Sequence, residues 1–407
     1  MIGPALWLWL KRSSAKILAP GIVLLVAVAV WSRPGWEYEW GWALSWTAGI
    51  SPVVAPLVAG IAAHDRAVRH SPTLVDFERS TVRGYLAALS LPVAVFIWAL
   101  AAWLIALCAV AIRVSFTSGL TVTDYRPVAE IVACLLAAAC LGAAVGGAVR
   151  NRAAGPAAAL LVYFIFLFGP RIGLDSMFAA GGKLDPLAGS QRNDIWTGGF
   201  VGLHMAVAVA CALVIIGQSS VFRRSRLVAS LAAVLVLSVG IGGAAAAGNQ
   251  PKYDAIPVAT VCVGQVPQVC GPHGTEQMLE VAAKGLSGTY DRLGETGLDL
   301  PDAYVWDHDS ANDFDFDDKG SIEIDPGRFE DGRLTGWDSF SAIYVPRPCD
   351  AYRGHDRPDG LLTAQRTVAT WLESRLDGSI QEEQAPPAVR SAYSELVDCP
   401  VGGAAAS

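Results

Sequence analysis

The side chains with the greatest capacity for chemistry are crowded into DHDSANDFDFDDKGSIEID, residues 307–325, which hold seven aspartates and one glutamate. Hard oxygen donors of this kind suit calcium, which takes about 6–8 of them. The spacing of a helix–loop–helix calcium site fails, however. Counted from Asp313, Asp315 and Asp317 fall in place, but the sixth position is Asp318 instead of glycine and the twelfth is Ile324 instead of glutamate. A hairpin fits better: DFDF and SIEID as strands and DDKG as the turn, with Phe314, Phe316, Ile322 and Ile324 on one face and the acids on the other. Other reactive patterns are missing. The chain has neither H-E-x-x-H nor G-x-S-x-G, and His273, His308 and His355 have no partner at metal-ligand spacing. No catalytic, cofactor-binding or metal residue is assigned, and the chain is read as a non-enzyme. It also lacks G-x-x-x-x-G-K-[ST], so any ATP-driven work must draw on a separate subunit.

The eight cysteines divide by environment. Cys108, Cys134, Cys140 and Cys211 lie in apolar runs, where a thiol is a small buried hydrophobe. Cys262, Cys270, Cys349 and Cys399 all follow residue 249, and an even number in a water-facing domain predicts two disulfides. Three pairings are possible. The favoured one is Cys262–Cys270, closing VCVGQVPQVC, with Cys349–Cys399 tying back the last helix.

These groups must be positioned by two parts of the chain that meet different solvents. Of 407 residues, 53% are hydrophobic and only 16% charged, too few charges for an ordinary soluble domain. Residues 1–248 hold 18 of the 30 basic and 10 of the 37 acidic residues, a net of +8, whereas residues 249–407 carry a net of −15. The first part contains seven candidate membrane spans, roughly 15–31, 41–63, 85–112, 127–149, 156–174, 198–218 and 227–248. The fifth is interrupted by Gly-Pro at 169–170. Arginine and lysine cluster before the first span and after the second, fourth and sixth, which predicts that those segments face the cytoplasm and that the region after the seventh lies outside. ALWLWLKRSS, with Trp7 and Trp9 ahead of Lys11 and Arg12, reads as a short interfacial helix. Few charges enter the spans. Glu130 sits near a span end and His204 is the main polar exception. Gly142, Gly146, Gly147, Gly240, Gly242 and Gly243 would allow close helix packing.

The fold class expected is a polytopic α-helical membrane protein with six to seven transmembrane helices, followed by an α+β extracytoplasmic domain. Its divisions are an interfacial helix at 1–14, a membrane domain at 15–248 and an outer domain at 249–407. In the outer domain, helices are expected in TEQMLEVAAKGLSGTYDRLGETG, LLTAQRTVATWLESRLDG and PPAVRSAYSELVDC, and strands in DAYVWD, SIEID and SFSAIYV.

The one long basic segment between spans is HDRAVRHSPTLVDFERSTVRG, residues 64–84. Arginines that hold a loop inside account for part of it. Leu74, Val75 and Phe77 supply an apolar face to a short helix started by Ser71 and Pro72, as a helix docking into a partner's groove would need.

In layout the chain resembles the permease subunit of a type-2 ABC transporter of actinobacterial kind. The resemblance rests on ALWLWLKRSS before the first span, AAHDRAVRHSPTLVDFERSTVRG after the second, and six core spans with a seventh leading outward. It rests also on RIGLDSMFAAGGKLDPLAGSQRNDIW, placed where the family has short outward-facing re-entrant helices, and on VCVGQVPQVCGPHGTEQMLEVAAKGL, similar to outer domains attached to such permeases. It implies export across the plasma membrane by a dimer of permeases, identical or not, among membrane lipids and without nucleic acid. ATP is then bound by a cytoplasmic nucleotide-binding subunit that meets Asp65, Arg66, Arg69, Leu74, Phe77, Glu78 and Arg79. The alternative is a membrane-anchored binding or sensing protein acting through its outer domain.

Overall fold

The computed structural model describes residues 2–32, 36–38, 40–68, 84–117, 125–169, 177–181, 190–219, 223–250, 252–255, 260–273, 275–293, 296–306, 320–322, 329–330, 333–334, 359–376, 378–380 and 384–397. Two compact units emerge. One comprises Met1–Arg33, Trp40–Pro186 and Ser190–Asp254, and the other Pro34–Glu39, Leu187–Gly189 and Ala255–Ser407.

The first unit is built from helices: α1 Ile2–Arg12, α2 Ala15–Trp31, α3 Trp40–Gly49, α4 Ser51–Val68, α5 Gly84–Thr117, α6 Arg126–Val149, α7 Ala154–Phe168, α8 Asp194–Ser219 and α9 Arg223–Ala247. Among the described residues five stretches are long and apolar enough to cross a membrane: Trp40–Val68, Ala87–Thr117, Arg126–Val149, Asp194–Ser219 and Arg224–Ala247. The pair Pro4–Arg12 and Ala15–Trp31, bent by 62°, makes a sixth if it counts as one span. The protein is a helical membrane protein. The expected fifth span differs, since α7 is 15 residues long. At 1.5 Å per residue that is about 22 Å, short of a hydrocarbon core of roughly 30 Å. Residues 170–174 of that span lie outside the described residues.

Two local features shape the bundle. The second apolar run is interrupted between Gly49 and Ser51, where Pro52 has no N–H to continue the ladder and the chain restarts from the Ile50 carbonyl. It then continues to Val68, beyond the expected end at Ala63, so His64, Asp65 and Arg66 belong to the helix and not to a loop. The close packing expected of the glycines is real at Gly142 and Gly146. A Cβ there would come within 2.0 Å of the Ala59 carbonyl oxygen and 2.4 Å of the Ala63 one, so α4 and α6 touch backbone to backbone. Gly147 instead makes room for Gln218, and Gly240 for Ala206, while Gly242 and Gly243 face open space.

A short two-stranded sheet joins β1 Ser190–Arg192 to β2 Tyr253–Ala255. The second unit contains a four-stranded sheet in the order β3 Thr260–Val263, β4 Gln268–Pro272, β5 Ala303–Trp306, β6 Gly320–Ile322. β3 and β4 are antiparallel and the other two pairings are parallel. A small antiparallel pair, β7 Phe329–Glu330 with β8 Arg333–Leu334, follows. Helix α10 Glu276–Leu293 lays Met278, Leu279, Ala282 and Leu286 against Val269, Tyr304 and Trp306 of the sheet. α11 Asp359–Leu376 and α12 Pro387–Val397 close a second core around Val368, Leu372, Tyr393 and Leu396. The three expected helices are present, and Gly378 with φ +80° follows α11. DAYVWD forms β5 and the start of SIEID forms β6, paired to β5 in parallel. The expected hairpin partner DFDF, the rest of the aspartate-rich segment and SFSAIYV lie outside the described residues. The strands formed by the two ends of VCVGQVPQVC were not foreseen.

Candidate functional site

Inside the membrane unit, polar side chains gather at the break between α3 and α4. The chain between α7 and α8 enters here, and its described stretch Met177–Gly181 is irregular backbone with Phe178 and Ala180 buried. Such backbone is tolerated at membrane depth only where protein satisfies its polar groups. Each is met by a different element. The Phe178 N–H donates to His204 Nε2 at 3.1 Å, and the Gly181 N–H donates to Glu130 Oε2 at 3.1 Å. The Ala180 carbonyl accepts from Ser51 Oγ at 3.4 Å, and Glu130 Oε1 accepts from Thr197 Oγ1 at 3.2 Å. Glu130 and His204 are fully buried.

The helices dictate this arrangement. Glu130 lies in the second turn of α6 and Thr197 in the first turn of α8, while His204 is about 15 Å from the first residue of α8, Asp194, near half the thickness of a bilayer's hydrocarbon core. Trp196, Phe200 and His204 follow at intervals of four and stack, with centroids 5.6 and 4.2 Å apart. The Phe178 ring meets the His204 ring edge-on at 5.2 Å. His204 Nδ1 lies 2.8 Å from the Phe200 carbonyl oxygen. A carbonyl can only accept and a backbone N–H can only donate, so the imidazole is neutral, with its proton on Nδ1. Two backbone conformations complete the seat. Phe178 has φ 63° and Gly181 has φ 78°, and a Cβ on Gly181 would stand 2.5 Å from the Ser45 carbonyl oxygen.

A second polar group lies at the far end of α4. Asp65 is fully buried and Arg66 nearly so. Asp65 Oδ2 accepts from Ser13 Oγ and from the Ser14 N–H, and Oδ1 accepts from Ser14 Oγ, each at 2.8 Å. The carboxylate thus caps α2 at its positive end, at the bend from α1. Arg66 Nη2 donates to Ser219 Oγ at the end of α8, at 3.4 Å. These two residues were expected to offer themselves to a partner subunit. They face inward because α4 continues as a helix and turns them toward its neighbours. Arg69, Leu74, Phe77, Glu78 and Arg79 lie outside the described residues. Trp9, expected at the interface, is also buried, whereas Trp7 is 60% exposed beneath the Lys11 ammonium.

In the other unit Cys262 and Cys270 form a disulfide between paired positions of β3 and β4. Cys349 and Cys399 lie outside the described residues. Among the described residues no three His, Cys, Asp or Glu side chains gather as metal ligands would. No family model matches the sequence, and comparison with curated proteins and with solved structures finds no match. Glu130 and His204 were visible in the sequence as polar residues in apolar runs. Thr197, Ser51, Ser13 and Ser14 carried no such signal, because a hydroxyl in an apolar helix ordinarily bonds its own backbone.

Proposed function

We propose that this protein is the membrane subunit of an ABC-type exporter, moving its substrate across the plasma membrane with energy from a separate cytoplasmic ATPase. The observation that carries the reading is the irregular segment Met177–Gly181, seated on buried Glu130, Thr197 and His204 between the fifth and sixth apolar helices. Ionisable groups inside a membrane bundle are costly and mark transport paths more often than scaffolding. A non-helical insertion that reaches them is suited to close one end of such a path. The bent amphipathic start and the basic segment after the second span agree with the same layout, as does the basic-residue distribution, which predicts that the second unit lies outside. Seven spans belong to this reading, as does a dimer of permeases.

The test is co-purification from native membranes followed by reconstitution. A P-loop ATPase is expected to accompany the full chain, and ATP is expected to drive substrate out of loaded cells. A chain that purifies without any ATPase, and whose deletion leaves export of amphipathic compounds unchanged, would sink the reading in favour of a sensor acting through its outer unit.

A further inference from the structure

Helices α8 and α9 run antiparallel, joined along their length by glycines. A Cβ on Gly199 would stand 2.3 Å from that of Ala247, one on Gly240 2.4 Å from that of Ala206, and one on Gly217 3.1 Å from that of Ala229. The pair is therefore closely packed at three levels. Beside this seam lies a groove of about 750 Å³, running from Ile195 to Val209 on α8 and from Leu235 to Ala247 on α9. Its lining is entirely Gly, Ala, Val, Leu, Ile and Met. Gly198, Gly202 and Gly243 bring it down to the level of the backbone, since an added Cβ at any of them would meet nothing within 4 Å. We propose that this groove is a binding site for an acyl chain of a membrane phospholipid. The inference is independent of the export reading.

The dimensions of the groove select its occupant. From Ile195 to Val209 the helix rises about 21 Å, more than half of a hydrocarbon core of roughly 30 Å. Over that length the volume of about 750 Å³ gives a mean cross-section of about 36 Å². A helix about 10–12 Å across with its side chains needs about 80–110 Å². Carbons of an extended hydrocarbon chain meet their neighbours at about 3.5–4.0 Å, so one or two such chains lie along the groove where a helix of a second copy does not fit. The lining offers no polar side chain, so a polar ligand would give up its hydrogen bonds to water without replacement. One end is marked as the membrane surface, where Asp194 pairs with Arg126 and Lys252 Nζ lies 5.2 Å from the centre of the Trp196 ring. The chain therefore enters from the leaflet that meets the start of α8 and the end of α9, and its terminal methyl points toward Val209 and Leu235. Its gain over bulk lipid is steady dispersion contact with a floor that has no side chains.

The test uses the full chain in phosphatidylcholine vesicles that contain phosphatidylcholine spin-labelled near the end of its acyl chain. Electron paramagnetic resonance then counts the motionally restricted lipids per chain. Gly198→Leu with Gly202→Leu fills the groove from α8 and should remove one or two restricted lipids per chain. Gly243→Leu, which enters from α9, should lower the count as well. Gly242→Leu is the control: a Cβ there also meets nothing within 4 Å, but the residue does not line the groove, and the count should stay at the parent's. Circular dichroism checks that each variant folds, as the open space at these positions leads us to expect. After extraction in mild detergent, native mass spectrometry should find phospholipid retained by the parent and reduced at least fivefold in the double variant. Equal restricted counts in the parent, the double variant and Gly243→Leu overturn the site, and so does a fall that Gly242→Leu shares. A double variant that loses self-association in chemical crosslinking while its restricted count is unchanged assigns the groove to a second copy and also overturns the proposal. None of these outcomes bears on whether an ATPase accompanies the chain, so the export reading stands or falls separately.

Discussion

His204 shows how much one side chain can hold. Both ring nitrogens are engaged, one with its own helix and one with the inserted segment. His204→Phe keeps the stacking and removes the acceptor, leaving the Phe178 N–H buried and unpaired. A loss of about 1–3 kcal/mol is expected, read as a lowered midpoint in thermal unfolding of the detergent-solubilised protein. A second residue-scale prediction concerns pH. Tyr290 donates to the Pro301 carbonyl at 2.7 Å, so the 2.8 Å contact between the two phenol oxygens must be donated by Tyr304. Burial raises both phenols well above the ordinary tyrosine range. Raised in the folded state, they contribute stability that is complete below the unfolded value of about 10 and is lost as pH rises past it. Unfolding midpoints should therefore fall between about pH 9.5 and 11, and Tyr290→Phe should flatten that fall; an unchanged slope would count against the pair.

At the scale of elements, the α4–α6 contact is the tightest backbone-to-backbone one among the described glycines. Gly142→Val would drive a side chain into the Ala59 backbone, which has no flexible end to yield. It should cost about 2–4 kcal/mol and lower the yield of folded protein in size-exclusion chromatography. Gly202→Val is the matched control. A Cβ there meets nothing within 4 Å, and its effect should stay within about 0.5 kcal/mol. The two glycines are indistinguishable by residue type and differ only in what stands opposite. The same logic governs the irregular segment at 177–181, whose conformation is held by three other elements, with Gly181 supplying the positive φ that the seat requires.

For the whole molecule the governing fact is the change of solvent near residue 250. The basic residues predict that the second unit faces an oxidising exterior, where Cys262–Cys270 persists. A cysteine placed at Asn249 in a chain with Cys108→Ser should react with a membrane-impermeant maleimide in intact cells. Reaction only after cell lysis would reverse the orientation. Reduction of Cys262–Cys270, eight residues apart, should lower the stability of the second unit by about 2–3 kcal/mol, followed by circular dichroism during denaturant titration.

The sequence by itself determined what depends on solvent and local geometry: the apolar helices and most of their ends, the acidic second unit, the helices of that unit and the cysteine pair at 262 and 270. Transfer of apolar runs out of water and the reach of an eight-residue loop are properties of the chain alone. Tertiary structure decided where the polar atoms went. Asp65 and Arg66 read as surface charges because the pattern of apolar residues stops at Ala63, yet the helix continues and packing turns them inward. Glu130, Thr197, Ser51 and His204 come from three helices distant in the sequence and meet only because those helices pack around an insertion whose backbone requires partners. Hydrogen bonds between distant residues leave no period in a sequence. The demand that buried polar groups be satisfied acts only once the helices are together.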